Sequence, residues 1–346
     1  MKRVSVHDVA RDAGVSLGTV SNVFNNPDRV RPATRAKVEA SVEKLGFVRN
    51  EQARALKSGS STTVAYVMLN AGNPFFTELA AGMDEVLRPE GLTLFLCDSR
   101  EDAAREDEYL VQLLQRRVHG VLVTGLDYDN PRLESFRAAE VPVIIVDSPP
   151  MRHDARWCAV SVDDDEGGEL AVAHLLDQGH QHIAFAAGPA ELTQVAQRRR
   201  GAERAVDDSG DSSATLTVLD TSALSIEAGR DLGARLLGLP KKRRPTAVFC
   251  GNDLLAIGLL QAVMQAGLFV PDDLAIVGYD DIVYAGAAAV PLTSVAQPTR
   301  QMGRAAAELM LAEVREGTGH THSERVFRPE LIARASSVSV SGVPRL

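Results

Sequence analysis

The chain has 346 residues, too many for one ordinary hydrophobic core, and its 45% hydrophobic and 24% charged content excludes a disordered or fibrous protein. No uninterrupted apolar run reaches membrane-spanning length, and the basic N-terminus lacks the apolar stretch of a secretory signal. The net charge of −9 argues against a nucleic-acid partner only on average: residues 1–60 hold 11 Lys/Arg against 6 Asp/Glu, and the rest 26 against 40. A basic head on an acidic body concentrates phosphate attraction in one place. Cys97, Cys158 and Cys250 lie far apart with no CxxC spacing, so neither a disulfide framework nor a zinc site is expected. These features point to a cytoplasmic, nucleoid-associated protein without membrane contact, metal or cofactor.

The head reads as three short helices. Ser5 with Asp8 three residues on resembles a capping box, and Val6, Val9, Ala10 and Ala13 recur at helical spacing. Gly14 suits the left-handed end of this helix. Ser16 is placed to cap a second helix whose Val20 and Val23 face inward. A third runs from about Arg31 to Leu45, with Pro32 in its first turn and Gly46 at its end. Two helices joined by a tight turn form a helix-turn-helix, whose second helix enters the major groove of DNA. Its leading positions here are Leu17, Gly18, Ser21 and Asn22. Asn22 can pair with adenine and Leu17 can pack on a thymine methyl. Gly18 costs ~1 kcal/mol of helix propensity relative to Ala, which close backbone approach to DNA would offset. Asn50 can cap a further helix through Leu56, too short to be stable alone. A flexible joint follows at Gly59–Thr63.

From Val64 onward strands alternate with helices, the pattern of parallel sheets covered on both faces. The strands are Val64–Leu69, Leu92–Cys97, Gly120–Thr124 and Val143–Val146. After a break near Val160–Val162 the rhythm restarts with Ile183–Ala187, Thr215–Leu219, Ala247–Cys250 and Ala275–Val277. Two sets mean two lobes. Ligands of such sheets bind beyond the carboxyl ends of the strands. The loops there supply carboxylates, amides, an arginine and aromatics, a mixture suited to a small polar molecule. Asp253 and Asp281 also fit as helix caps, and Phe76 as core. The run Asp163–Glu166 reads as a solvated helix start rather than a metal site. Arg198 and Asp280 are charges in a cleft that need partners.

The segment Val6–Val23, the Asn25-Asn26 pair, the helix Arg31–Gly46 and Asn50…Ala53-Arg54-Ala55-Leu56 resemble the headpiece and hinge of the lactose/galactose repressor family. So do Asn73-Pro74-Phe75-Phe76, Arg198–Gly201, Asn252-Asp253, Val277–Asp281 and Pro291–Pro298 in the body. The resemblance implies an all-α headpiece (1–48), a hinge (49–61) and a periplasmic-binding-protein-like body of two doubly wound parallel sheets. The first lobe is 62–161 plus about 294–324, the second 162–293 plus about 325–340. It further implies DNA contacts at Ser5, Val6, Ser16, Leu17, Gly18, Ser21, Asn22, Asn25, Arg29, Thr34, Asn50, Ala53, Arg54, Leu56 and Lys57. Leu56 would be the wedge between base pairs in the minor groove. Phe75 and Phe76 would wall the effector pocket and Arg198 anchor the ligand. Asp147, Asn252, Asp280 and Gln297 would hydrogen-bond it, with Thr124 and Thr221 alongside. Many members have proline where this chain has Arg49, and an aromatic near Thr221.

The function expected is a DNA-binding transcriptional regulator, a homodimer on a palindromic operator. Its effector would be a sugar or sugar phosphate first, a purine or nucleoside second. A periplasmic-type solute receptor shares the body but would carry no helix-turn-helix. An enzyme on a doubly wound fold is disfavoured, because GxGxxG, GxxxxGK[ST] and GxSxG are all missing from residue 62 onward.

Overall fold

A computed structural model describes residues 4–48, 61–148, 156–189 and 192–338. The chain divides into two compact units between Ser61 and Thr62. The expectations for Arg49, Asn50, Ala53, Arg54, Leu56 and Lys57 lie outside the described residues.

The first unit contains α1 (Val6–Ala13), α2 (Leu17–Asn25) and α3 (Pro32–Leu45). Local chemistry sets their ends. The Ser5 N–H donates to Asp8 Oδ2 at 2.9 Å and Gly14 turns the chain at φ +66°. The Thr19 N–H donates to Ser16 Oγ at 3.1 Å. Val9, Val20 and Val38, one from each helix, are fully buried against one another. Each such valine contributes about 1.5–3 kcal/mol by leaving water. A polar tie supplements this small core. Ser41 Oγ and Lys44 Nζ donate to the two oxygens of Asp12 at 2.9 and 2.7 Å, pinning α3 to the end of α1.

The second unit holds two six-stranded sheets. The first lobe runs β1 (Thr63–Met68), α4 (Pro74–Leu87), β2 (Thr93–Asp98), α5 (Ala103–Arg116), β3 (Gly120–Val123), α6 (Pro131–Ala138), β4 (Val143–Val146) and β5 (Cys158–Val162). The second runs α7 (Asp164–Asp177), β6 (His182–Ala187), α8 (Thr193–Asp208), β7 (Thr215–Asp220), α9 (Ile226–Gly238), β8 (Ala247–Cys250), α10 (Asp253–Gln265), β9 (Ala275–Asp280), α11 (Val283–Ala287) and β10 (Thr293–Ala296). The chain then returns to the first lobe with α12 (Thr299–Glu316) and β11 (Glu324–Phe327), and ends in the second with β12 (Glu330–Ile332). Strand orders are β11-β5-β4-β3-β1-β2 and β12-β10-β9-β8-β6-β7, parallel throughout except for β10 with β12. Central strands such as Val143–Val146 are apolar at every position because helices cover both faces.

Two boundaries differ from the sequence-based expectation. Val160–Val162 is not a break but part of β5, paired with β11 along its length and with β4 at Val160. Thr293–Ala296 belongs to the second sheet and Glu324–Phe327 to the first, so the lobes exchange chain at 162–164, 296–299 and 327–330. Pairing partners distant in sequence decide this, and no local periodicity reports them. Among the described residues no helix is long and apolar enough to cross a membrane.

Candidate functional site

On the headpiece, Leu17, Gly18, Ser21, Asn22 and Asn25 share one face of α2, opposite the buried Val20 and Val23. Leu17 is 40% exposed and lies outside the small valine core. Asn22, Asn25 and Arg29 are exposed, and Ser21 and Thr34 half-buried. Asn25 Nδ2 donates to Ser21 Oγ at 3.1 Å. A Cβ at Gly18 would meet nothing nearer than Ser16 Oγ at 3.7 Å, so nothing in the headpiece requires glycine there. Ser5, Val6 and Ser16 act first as structure: two are caps, and Val6 packs on the small core.

In the body, a narrow cavity lies between the lobes at the carboxyl ends of their strands. Its lining includes Phe75, Phe76, Asp147, Arg198, Asn252 and Asp280. Phe75 and Phe76 meet edge to face, ring centroids 5.2 Å apart. The centre of charge is Arg198, only 4% exposed. Its Nε donates to Asp164 Oδ1 at 2.7 Å and a terminal nitrogen to the Gly251 carbonyl at 2.7 Å. The other terminal nitrogen is 4.0 Å from Asp280 Oδ1, and the guanidinium carbon is 3.6 Å from the Tyr279 ring centroid. Gly201 makes this possible. A Cβ there would lie 1.8 Å from the Asp165 carbonyl, so only glycine lets α8 approach α7 closely enough to bring Arg198 to Asp164.

Burial pushes the Asp147 carboxyl well above the usual carboxylate range, and repulsion from Asp164 adds to it. Burial also raises Asp280, to about 6, against the opposing pull of Arg198. Asp164 is raised by burial, and Arg198 offsets part of this. Asp147 and Asp280 have left-handed backbones, φ +60° and +98°. Strain of this kind collects at ligand clamps. Each carboxylate also bridges the lobes. Asn73 Nδ2 donates to Asp280 Oδ2 at 3.2 Å, and Gln194 Nε2 to Asp147 Oδ2 at 3.3 Å. Asp147 Oδ1 is buried without a hydrogen-bond partner among the described residues.

Several sequence expectations change here. Thr124 is fully buried, paired with the Tyr66 hydroxyl at 2.9 Å, and does not line the cavity. Thr221 spends its hydroxyl on the Ala187 and Ala223 carbonyls and is not a lining residue either. Gln297 donates to Asp280 Oδ1 at 2.9 Å and lines the neighbouring cavity, so it acts through Asp280. Asp281 caps no helix but pairs with Arg334. Asp253 is structural, accepting from Ser294 Oγ and the Ile282 N–H. Asp164 is 2% exposed rather than solvated, whereas its neighbour Asp163 does cap α7. Asn70, Glu101, Leu192 and Leu224 also line the cavity and carried no motif. Asp164 had one usable signal, since a cleft arginine requires a buried anion.

A helix-turn-helix unit followed by a two-lobed body with a polar cleft defines a DNA-binding transcriptional regulator. Residues 5–50 match the model of bacterial regulatory proteins of the lacI family, and residues 172–337 that of the periplasmic binding protein-like domain. The HTH-type transcriptional repressor PurR of Aliivibrio fischeri (strain MJ11) is 34% identical over 335 residues, covering 96% of this chain and 98% of that protein. A regulator CelR–cellobiose complex superposes with TM-score 0.70 at 29% identity, covering 96% of this chain and all of the other. A ribose-bound LacI family regulator from Enterococcus faecium gives 0.71 at 29%, covering 80% and 98%. The chain belongs to the LacI family of bacterial transcriptional regulators and is a DNA-binding repressor of that family.

Proposed function

We propose that this repressor acts as a homodimer on a palindromic operator and that a neutral sugar or sugar derivative, held in the interlobe cleft, sets its operator affinity. The observation that carries the effector reading is the cleft chemistry. Asp147, whose buried Oδ1 has no hydrogen-bond partner among the described residues, lines the cleft from one lobe and Asp280 from the other, and the rings of Phe75 and Phe76 line it as well. Carboxylates and amides accept and donate to several hydroxyls, and aromatic faces cover the C–H side of a sugar. Glu101, Asp147 and Asp280 face the cavity, while Asp164 already neutralises Arg198. With Arg198 already paired and carboxyl groups on the lining, the cleft offers no free cation for a phosphate, which favours a neutral polyol over a sugar phosphate. The cellobiose- and ribose-bound relatives support the same class. A ligand joining Asp147 to Asp280 prefers the closed arrangement of the lobes, which is the differential affinity that control of a second site requires. Exposed Phe95 and Leu96 on edge strand β2 offer apolar surface for a second copy.

A thermal-shift screen of neutral sugars, sugar phosphates, nucleosides and purine bases tests this, since a ligand at 100 times its Kd stabilises by about 2.7 kcal/mol. The expected result is a selective rise with a neutral sugar. For that sugar, affinity falls as pH drops through about 6, because protonated Asp280 accepts hydroxyl hydrogen bonds less well. Asp280→Asn removes that dependence on its own group. A response to purines alone would replace the sugar by the second reading, which the aromatic lining of Phe75 and Phe76 and the PurR relative favour.

On the DNA side, Leu17, Gly18, Ser21 and Asn22 face base edges, and Asn25, Arg29 and Thr34 flank them. Gly18→Ala is expected to stabilise the headpiece by up to ~1 kcal/mol, since the site has room for a methyl group. The same variant weakens operator binding in a fluorescence anisotropy titration, because the methyl group blocks backbone approach to the groove. Undiminished operator affinity would remove that role from Gly18.

A further inference from the structure

At the end of the first sheet away from the cleft, four side chains from separate segments converge. Cys158 opens β5 and is fully buried. Glu313 lies in the last turn of α12, and His320 and His322 follow as His-Thr-His before β11. One donor atom from each lies within 4.8 Å of every other. Cys158 Sγ is 3.1 Å from His320 Nε2 and 3.8 Å from His322 Nδ1. Glu313 Oε2 is 3.8 Å from His322 Nδ1 and is buried with no hydrogen-bond partner among the described residues.

We propose that Cys158, Glu313, His320 and His322 bind one divalent transition metal, with zinc the best match. A thiolate, two imidazoles and a carboxylate are borderline-soft donors, which suit zinc and disfavour magnesium or calcium. Zinc–ligand bonds of roughly 2.0–2.3 Å place tetrahedral neighbours about 3.4–3.7 Å apart, close to the spacings present. The surroundings fit as well. His320 Nδ1 donates to Glu316 Oε2 at 2.8 Å, which leaves Nε2 as the ligand atom and orients the ring. On binding, the Cys158 thiol passes its proton to solvent and the thiolate bonds the metal. Four protein ligands leave no open position, the mark of a structural site. The metal would clasp the end of α12 and the 320–322 segment onto β5. This holds the start of β11, whose far end crosses to the second lobe.

The test uses the full-length chain, free of any affinity tag and stripped by chelator, titrated with Co²⁺ and then Zn²⁺. The expected result is a thiolate-to-cobalt charge-transfer band saturating at one equivalent and displaced by zinc. Zinc at 100 times its Kd raises Tm by roughly 5 °C. His322→Ala, at a partly exposed position that tolerates truncation, abolishes the one-equivalent band. Glu316→Gln weakens affinity about 10–100-fold, as loss of a partner behind a ligand does. Cys158→Ser removes the charge-transfer band, and its melting curve reports whether it folds. No band in the parent chain overturns the proposal and leaves a Cys–His hydrogen-bonded cluster. A band that survives both His322→Ala and His320→Ala overturns it too.

Discussion

Replacing Arg198 by alanine is expected to lower the stability of the two-lobed body by about 3–5 kcal/mol, because one partner of a buried ion pair is removed and the other stays. Asp164, 2% exposed, then has no counter-charge, and Asp280 and Asp147 lose the cation that opposes their burial. In a melting experiment this is a drop of roughly 10 °C for a unit of this size. Its pH dependence has a definite sign. All three carboxyls have folded-state values raised above the unfolded ones, so the folded state binds more protons and becomes more stable as pH falls. The variant therefore recovers stability as pH falls through about 6, where Asp280 takes up its proton. Pairing it with Asp164→Leu, as Arg198→Met/Asp164→Leu, restores part of the loss because the stranded charge is gone. A single Arg198→Ala variant that melts within 2 °C of the parent would show that the pair carries no such load. The same physics makes Arg198→Ala a poor probe of ligand contact, since loss of response and loss of fold arrive together. Asp147→Asn separates the two, because its Oδ1 has no protein partner to lose.

Removing residues 1–61 is expected to abolish operator binding, a loss of at least about 10³-fold, while Thr62–Leu346 stays folded. The acidic body carries 26 Lys/Arg against 40 Asp/Glu from residue 61 onward, so it repels phosphate and offers no substitute surface. For the intact chain, operator affinity falls steeply as salt rises, because the exposed basic residues of the headpiece release counterions. Anisotropy titrations at several salt concentrations measure both effects, and calorimetry checks the fragment's fold. Operator binding by the fragment within tenfold of the full chain would place DNA recognition elsewhere.

Much of the headpiece was legible because its signals are local. A capping box from Ser5 to Asp8, a serine cap and two glycine ends act within one helical turn, and the observed helices begin and end on them. Strand and helix types in the body were legible from periodicity for the same reason. The interlobe cleft was legible in part. Asp147, Asn252, Asp280, Arg198, Phe75 and Phe76 line it, as the strand-end rule and the family resemblance implied. Thr124 and Thr221 sit at strand ends too, yet their hydroxyls turn away to Tyr66 and to carbonyls. Side-chain direction at a strand end depends on neighbouring strands, and the sequence of one strand does not carry it.

The amino-acid order by itself determined the helix ends, the alternation of strands and helices, and the basic head on an acidic body. All of these rest on interactions within a few residues or on charge sums. Tertiary structure alone decided which lobe receives β10 and β11, because strand pairing is a long-range choice. It also decided that Asp164, read as a solvated helix start, is the buried partner of Arg198 across 34 positions. The cysteines, too far from any partner in sequence to imply a metal site, show the same limit. Cys158 meets His320 and His322 across more than 160 positions, because β11 pairs with β5 and draws the preceding loop over it.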